Sequence, residues 1–289
     1  MLKAFFQSMR VKQWTKNAFV FFALVFDKQF FLIEPFLRTL AGFLLFCFIS
    51  SSVYVFNDLS DIEADRQHPT KRNRPLPSGK LNKNFALTGG LLLATISLVG
   101  AYLISPNFFF IILVYLILNL AYSKWLKHVP ILDVMILAAG FILRVEGGVS
   151  LITVERFSPW LYVVTTLGAL YLGFGKRRSE LNLFARDASA YRKVLDGYTI
   201  PLLDQYITIV SSATILSYSL YTFSAPNLPE NHSMMLTIPV MAYIIFRYLY
   251  LIQMTDEAGA PDEVLLIDRP IQFAILLLAA LIFAIFYLS

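Results

Sequence analysis

The densest chemistry in the sequence lies between Asn57 and Lys80, where NDLSDIEADR is followed by QHPTKRNRPLPSGK. On a continuing helix, Asn57, Asp61 and Asp65 recur every four residues along one face, with Asp58 three residues before Asp61 and adjacent to it. Carboxylates this close repel one another unless a cation is held among them. Hard oxygen ligands, completed by water and substrate phosphates, suit Mg²⁺. The bland alternative is a solvated helix end, but acids at a helix C-terminus oppose the macrodipole. In the basic run alongside, Arg66, Lys71, Arg72 and Arg74 are donors suited to phosphate oxygens, while Pro69, Pro75 and Pro77 end the helix and stiffen the loop. A positive-inside bias alone also yields basic loops, but it does not place acids beside them.

Other segments carry charge of the same kind. RVKQWTKN (Arg10 to Asn17, with Lys16) is basic and amphipathic, fit either to anchor at the headgroup level through Trp14 or to meet a substrate. YSKWLK (Tyr122 to Lys127) precedes Asp133, and Arg144 follows inside an apolar run. Ionisable groups at membrane depth are functional candidates, the competing reading being a structural pair of Arg144 with an acid. GKRRSEL brings Lys176, Arg177, Arg178 and Glu180, and Asp268 and Arg269 stand at the mouth of the last apolar run. His68, His128 and His232 form no ligand pattern, and the lone Cys47 reads as a small buried hydrophobe.

The elements that position these residues must sit in lipid. Of 289 residues, 57% are hydrophobic and 15% charged, against about 25% charged in soluble domains. Disordered, collagen-like and disulfide-scaffold classes are excluded. Apolar runs fall at roughly 17–33, 35–56, 84–104, 107–123, 130–148, 158–175, 204–224, 234–254 and 270–288, which predicts an all-α polytopic membrane protein of nine transmembrane helices. The first run is interrupted by Asp27 and Lys28, and the fifth carries Asp133, Arg144 and Glu146. Residues 1–289 read as a single integral-membrane domain, with no removable signal peptide at the N-terminus. Of the 24 Lys and Arg, only Lys28, Arg38 and Arg156 fall on one side, and Arg144 and Arg247 lie within runs. The remainder mark the cytoplasmic side of an inner membrane, with the N-terminus and the two long charged loops facing it.

A polytopic chain with N-D-x-x-D-x-x-x-D after its second span resembles the UbiA superfamily of intramembrane prenyltransferases. It is most similar to the branch of decaprenyl-phosphate phosphoribosyltransferases. The resemblance is carried by Arg10 to Asn17, Asn57 to Pro75, Tyr122 to Lys127 with Asp133 and Arg144, Gly175 to Leu181, and Leu265 to Pro270. It implies a nine-helix UbiA-type bundle and a pentosyltransferase that moves 5-phosphoribose from 5-phosphoribosyl 1-diphosphate to a polyprenyl phosphate, releasing diphosphate. Mg²⁺ would be the cofactor, held by Asn57, Asp58, Asp61 and Asp65, the three aspartates being the catalytic set. Lys16, Tyr54, Arg66, Lys71, Arg72, Arg74, Tyr122, Lys127, Arg144, Lys176, Arg177 and Glu180 would grip phosphates and ribose. Membrane lipids and a second copy of the chain are candidate partners, and no nucleic acid is expected. The alternative is transfer of a prenyl group from a prenyl diphosphate to an aromatic acceptor. Against it stands the sixth-to-seventh loop, where that class carries a second D-x-x-x-D and this sequence has Asp187 followed by Tyr191. A lipid or anion transporter is disfavoured because the charges gather on one face rather than near the midplane.

Overall fold

Lipid offers backbone N–H and C=O groups no partner, so a chain this apolar satisfies them within helices. The computed structural model describes residues 1–68, 71–154, 158–184, 193–225, 228–254, 264 and 267–288. Its helices are α1 (Leu2–Ser8), α2 (Phe22–Phe26), α3 (Ile33–Ser60), α4 (Ile62–Gln67), α5 (Lys83–Ile104), α6 (Pro106–Lys124), α7 (Leu132–Val149), α8 (Pro159–Phe184), α9 (Ile200–Ser224), α10 (Ile238–Met254) and α11 (Arg269–Tyr287). Between α1 and α2 runs a 3₁₀ segment, Val11–Phe21. Among the described residues there is no strand.

Six segments are long and apolar enough to cross a membrane: α3, α5, α6, α9, Ser233–Met254 and α11. The protein is therefore a helical membrane protein, and six of the nine expected spans meet this test of length and composition among the described residues. The first predicted span, 17–33, is not one continuous helix. It divides between the 3₁₀ segment and the five-residue α2, and Lys28 then takes a left-handed backbone (φ 57°). α7 carries Asp133, Arg144 and Glu146 within 18 residues, and α8 continues through Lys176, Arg177, Arg178 and Glu180. Large apolar side chains such as Leu92, Leu103, Phe110, Ile117, Phe246, Phe273 and Leu276 are exposed, the pattern of a lipid-facing surface.

The chain forms two compact units. The first comprises Met1–Val25, Gln29–Lys127 and Leu143–Val154. In it α3 packs against α5, α6 and the 3₁₀ segment. Phe46, Ile49, Val53, Ala94, Phe108, Ile112 and Leu151 make its main core. Small polar residues on α3 stitch the N-terminal segment to it: Ser51 Oγ donates to the Met9 carbonyl at 3.0 Å, Trp14 Nε1 to Ser51 Oγ at 3.0 Å, and Asn17 Nδ2 to Ser50 Oγ at 3.2 Å. Trp14 is thus bonded to α3 through its indole N–H. Asn82 and Ser105 cap α5 and α6.

The second unit comprises Phe26–Lys28, His128–Ile142 and Glu155–Ser289. α8 packs on α9, α9 on α10 and α10 on α11. Its core includes Val134, Tyr171, Phe174, Leu203, Ile207, Tyr248 and Ile271. Thr199 and Asp268 cap α9 and α11, each followed by a proline in the first turn, where the missing N–H costs nothing.

Candidate active site

In the first unit the acidic segment is not one straight helix. α3 stops at Ser60, Asp61 takes a non-helical conformation (φ −98°, ψ 9°), and α4 resumes at Ile62. Two backbone hydrogen bonds carry the four-residue register across the break, Asp61 N–H to the Asn57 carbonyl at 3.0 Å and Asp65 N–H to the Asp61 carbonyl at 2.8 Å. The side chains sort differently from the single stripe expected of a continuous helix. Asp58 and Asp65, seven residues apart, are both buried, and both accept from one nitrogen, Arg74 Nη1, at 3.3 and 2.7 Å. Arg10 donates to the same Asp58 oxygen, its guanidinium lying 4.9 Å from the centre of the Tyr54 ring. Lys71 Nζ stands 4.0 Å from Asp65 Oδ1. Asp61 instead meets Lys127 Nζ, at 3.3 and 3.4 Å from its two oxygens.

Local sequence explains why Arg74 reaches this point. Leu76 and Leu81 bury themselves with Val55, Ile62 and Ala86 in a small core beneath the loop. Ser78 N–H closes on the Arg74 carbonyl at 3.0 Å and Leu81 N–H on the Pro75 carbonyl at 3.0 Å. Gly79 supplies the positive φ (77°) the turn requires. Arg66 braces the same loop, holding Glu63 at 3.0 and 3.1 Å and the Pro77 carbonyl at 3.4 Å, while Arg72 is exposed. Pro69, predicted to end the helix, lies outside the described residues, but α4 does end at Gln67.

Arg10 is the residue that sequence reasoning left out of the site. It has a left-handed backbone (φ 52°, ψ 51°), uncommon for a non-glycine residue. The stitches from Ser51 to Met9 and Trp14 hold it beside Asp58. The signal was present in the R-x-K-Q-W-x-K-N run, but nothing in the linear sequence says that Arg10, 48 residues before Asp58, pairs with it. Lys16 and Tyr122 are half-buried within the same unit.

Arg144 is buried. It is 6% exposed, its Nε donates to Asn17 Oδ1 at 2.7 Å, and its Nη2 donates to Tyr115 Oη at 2.9 Å. Asn17 in turn bonds Ser50 and Cys47 Sγ, both at 3.2 Å. Asn17 and Tyr115, absent from the sequence-derived set, thus form with Arg144 a polar core that ties the 3₁₀ segment to α3, α6 and the second half of α7.

The second unit holds its own ionic network. Arg177 is buried, with Nε 2.5 Å from Asp133 Oδ2 and Nη1 on Glu180. Tyr198 donates to Asp133 Oδ1 at 2.7 Å and accepts from the Ile131 N–H at 2.5 Å. Ile131 has φ 70°, a costly conformation for a β-branched residue. Burial and the bond to Asp133 push the Tyr198 phenol well above its ordinary range. Lys176 is half-buried. Arg178 pairs with Asp204 at 2.6 Å. Arg247 pairs with Asp268 at 2.9 Å. Burial raises the Asp268 carboxyl, but the bonds from Arg247 and the Ile271 N–H outweigh it and hold the group below its usual range. Asp187 and Tyr191, where a second acidic motif was judged missing, lie outside the described residues.

The donor types of the first unit, three carboxylates and Asn57, are those a hard divalent cation takes, and two of the carboxylates converge on one nitrogen. In this structure cationic side chains hold those oxygens, and among the described residues no three His, Cys, Asp or Glu are gathered closely enough to hold a metal. Carboxylates and cationic donors neutralise each other throughout this cluster.

The model of the UbiA prenyltransferase family matches residues 18–268. The chain belongs to the UbiA prenyltransferase family. Among UbiA relatives, a decaprenyl-phosphate phosphoribosyltransferase of Mycobacterium tuberculosis is 32% identical over 271 residues, covering 92% of this chain and 88% of the relative. Another, from Corynebacterium glutamicum, is 32% identical over 277 residues, covering 92% of this chain and 81% of the relative. A UbiA homolog from Archaeoglobus fulgidus, solved bound to GPP and Mg²⁺, shares the fold with a TM-score of 0.73 and 19% identity, covering 98% of this chain and 99% of that one. Arg10, Trp14 and Asn17 precede the segment matched by the UbiA model.

Proposed function

We propose that this protein transfers 5-phosphoribose from 5-phosphoribosyl 1-diphosphate to a polyprenyl phosphate at the cytoplasmic face of the membrane. The observation that supports this reading best is the meeting of Asp58, Asp61 and Asp65 with Arg10, Lys71, Arg74 and Lys127 in one unit. Four cations opposite three carboxylates suit a donor that carries a 5-phosphate as well as a diphosphate, and an acceptor that is itself a phosphate. The relatives named as decaprenyl-phosphate phosphoribosyltransferases add weight to it.

Asn57, Asp58, Asp61 and Asp65 would hold Mg²⁺, which supplies charge neutralisation at the departing diphosphate. Arg74, Lys71 and Lys127 serve the same end by donating to phosphate oxygens. Arg10, braced on Tyr54, extends that positive wall. The bond from ribose C1 to the diphosphate oxygen breaks while one forms from C1 to the lipid phosphate oxygen. The nucleophile is already anionic at neutral pH, so the site needs positioning and charge stabilisation rather than a strong general base. That accounts for a site built of Asp, Lys and Arg without histidine at its centre. Lys16, Tyr122 and the exposed Arg72 are assigned to outer phosphate contacts, whereas Arg144 and Arg177, with Glu180, hold helices in place. Lys176 stays with the substrate set, and Arg66 acts through the loop it braces.

The test is incubation of the purified protein in lipid nanodiscs with labelled 5-phosphoribosyl 1-diphosphate and polyprenyl phosphate. A labelled lipid, formed with Mg²⁺ and absent with EDTA, is the expected product. An inert phosphoribosyl donor, together with transfer from a prenyl diphosphate to an aromatic acceptor, would overturn the assignment in favour of prenyl transfer.

A further inference from the structure

The position of a single atom, Arg74 Nη1, bears on how the site is loaded. It lies 3.3 Å from Asp58 Oδ1 and 2.7 Å from Asp65 Oδ2, bridging two carboxylates that are 2% and 3% exposed. These carboxylates come from different helices, α3 and α4, on either side of the break at Asp61. One positive nitrogen between two buried anionic oxygens does electrostatically what a shared metal ion would do. Two uncompensated carboxylates in so buried a place would be costly, so the loop that carries Arg74 also stabilises the pair.

Resting on the phosphoribosyl-transfer reading, we infer that Arg74 is a resident stand-in for the metal, and that the metal binds well only when an anionic diphosphate draws the guanidinium off Asp58 and Asp65. The same side chain then changes partners from carboxylate to phosphate. The observations favour exchange over simple addition of a metal. A divalent cation arriving alone must displace Arg74, leaving a guanidinium, half-screened from water, without an anion. Diphosphate arriving alone finds a guanidinium already neutralised by two carboxylates. Arriving together, each provides the partner the other displaces, and the charges stay paired throughout. Metal and diphosphate therefore bind with positive, reciprocal coupling. The loop geometry suits a side-chain exchange: Leu76 and Leu81 keep the backbone pinned, while the Arg74 side chain is about one-third exposed and has room to turn. Arg10, which donates to the same Asp58 oxygen, keeps that carboxylate partly neutralised as Arg74 leaves.

The experiment is equilibrium dialysis of the full-length protein in nanodiscs with radiolabelled Mn²⁺, with and without inorganic diphosphate carrying a second label, corrected for Mn²⁺–diphosphate formed in solution. The wild type should retain Mn²⁺ weakly alone and roughly ten- to hundredfold more tightly with diphosphate, the equivalent of releasing one charge-assisted hydrogen bond. Arg74→Gln should tighten Mn²⁺ binding without diphosphate by a similar factor and lose most of the coupling. Lys80→Gln, an exposed change on the same loop, should behave as the wild type. Wild-type protein that binds Mn²⁺ equally well with and without diphosphate overturns the stand-in role while leaving the site reading intact. That arm needs no variant, so it decides the matter even if Arg74→Gln fails to fold. Wild-type protein that retains neither ligand, even together, overturns the underlying reading.

Discussion

Replacing Arg177 by methionine separates a brace from a substrate contact. The Arg177 and Asp133 side chains are 1% and 0% exposed, with Nε and Oδ2 2.5 Å apart. At an effective dielectric of about 20, two unit charges ~4 Å apart attract by about 4 kcal/mol. Removing one partner of a buried pair costs about 3–5 kcal/mol because the survivor is left charged and unpaired. Among the described residues Asp133 would keep the Tyr198 hydroxyl at 2.7 Å, and Glu180 would be released from Nη1. At about 2 °C per kcal/mol for a large chain, melting should fall by roughly 6–10 °C. The double change Arg177→Met with Asp133→Asn removes both charges and should recover at least half of that loss. The assay is thermal unfolding in detergent, read by size-exclusion chromatography, with KM for the phosphoribosyl donor measured below the transition. An unchanged melting temperature with a raised KM would refute the reasoning and place Arg177 on the substrate.

Further outcomes follow from the same geometry. Asp61→Asn should lower Mg²⁺-dependent transfer by roughly 10²- to 10³-fold. It should leave melting almost unchanged, because Asp61 and Lys127 are both partly solvated and re-solvate when parted; a large melting shift would contradict this. Arg144→Leu should cost about 2–4 kcal/mol by orphaning Asn17 and Tyr115, and Tyr115→Phe about 1 kcal/mol. Equal losses in unfolding experiments would show that the Tyr115 bond carries the network. The Asp268 carboxyl is held below its unfolded value, so its contribution to stability is full above the ordinary carboxylate pKa of about 4 and is lost as pH falls through the depressed value. Asp268→Asn keeps the helix cap but not the charge. The melting difference from wild type should therefore be present at neutral pH and vanish in acid, whereas a difference constant with pH would exclude the ion pair as its source.

Much of the site was legible before the fold. Asp58, Asp61 and Asp65 stand out because three aspartates in eight residues, with Glu63 among them, have no ordinary structural reason after an apolar run. Arg74 was legible too, as part of a basic run stiffened by proline. Partner choice was not legible. The four-residue stripe predicts that Asn57, Asp61 and Asp65 act together, yet the break at Asp61 pairs Asp58 with Asp65 across Arg74 and turns Asp61 to Lys127. For Arg144 the sequence left a substrate contact and a structural pair with an acid both open, and it named no partner for Arg177. In the structure Asn17 and Tyr115 meet Arg144, and Asp133 meets Arg177, partners distant in sequence that only packing brings together.

The sequence by itself determined that lipid is the solvent, that the chain is helical, and that its chemistry concerns anions, since those follow from composition, apolar periodicity and the clustering of Asp, Lys and Arg. Family membership was legible there as well, because the acidic and basic motifs are contiguous. Tertiary structure alone decided which cation neutralises which carboxylate. That depends on a 3₁₀ segment stitched to α3 by serine hydroxyls and on a loop pinned by Leu76 and Leu81. Neither leaves a periodic trace, because each is a contact between residues that only packing brings together.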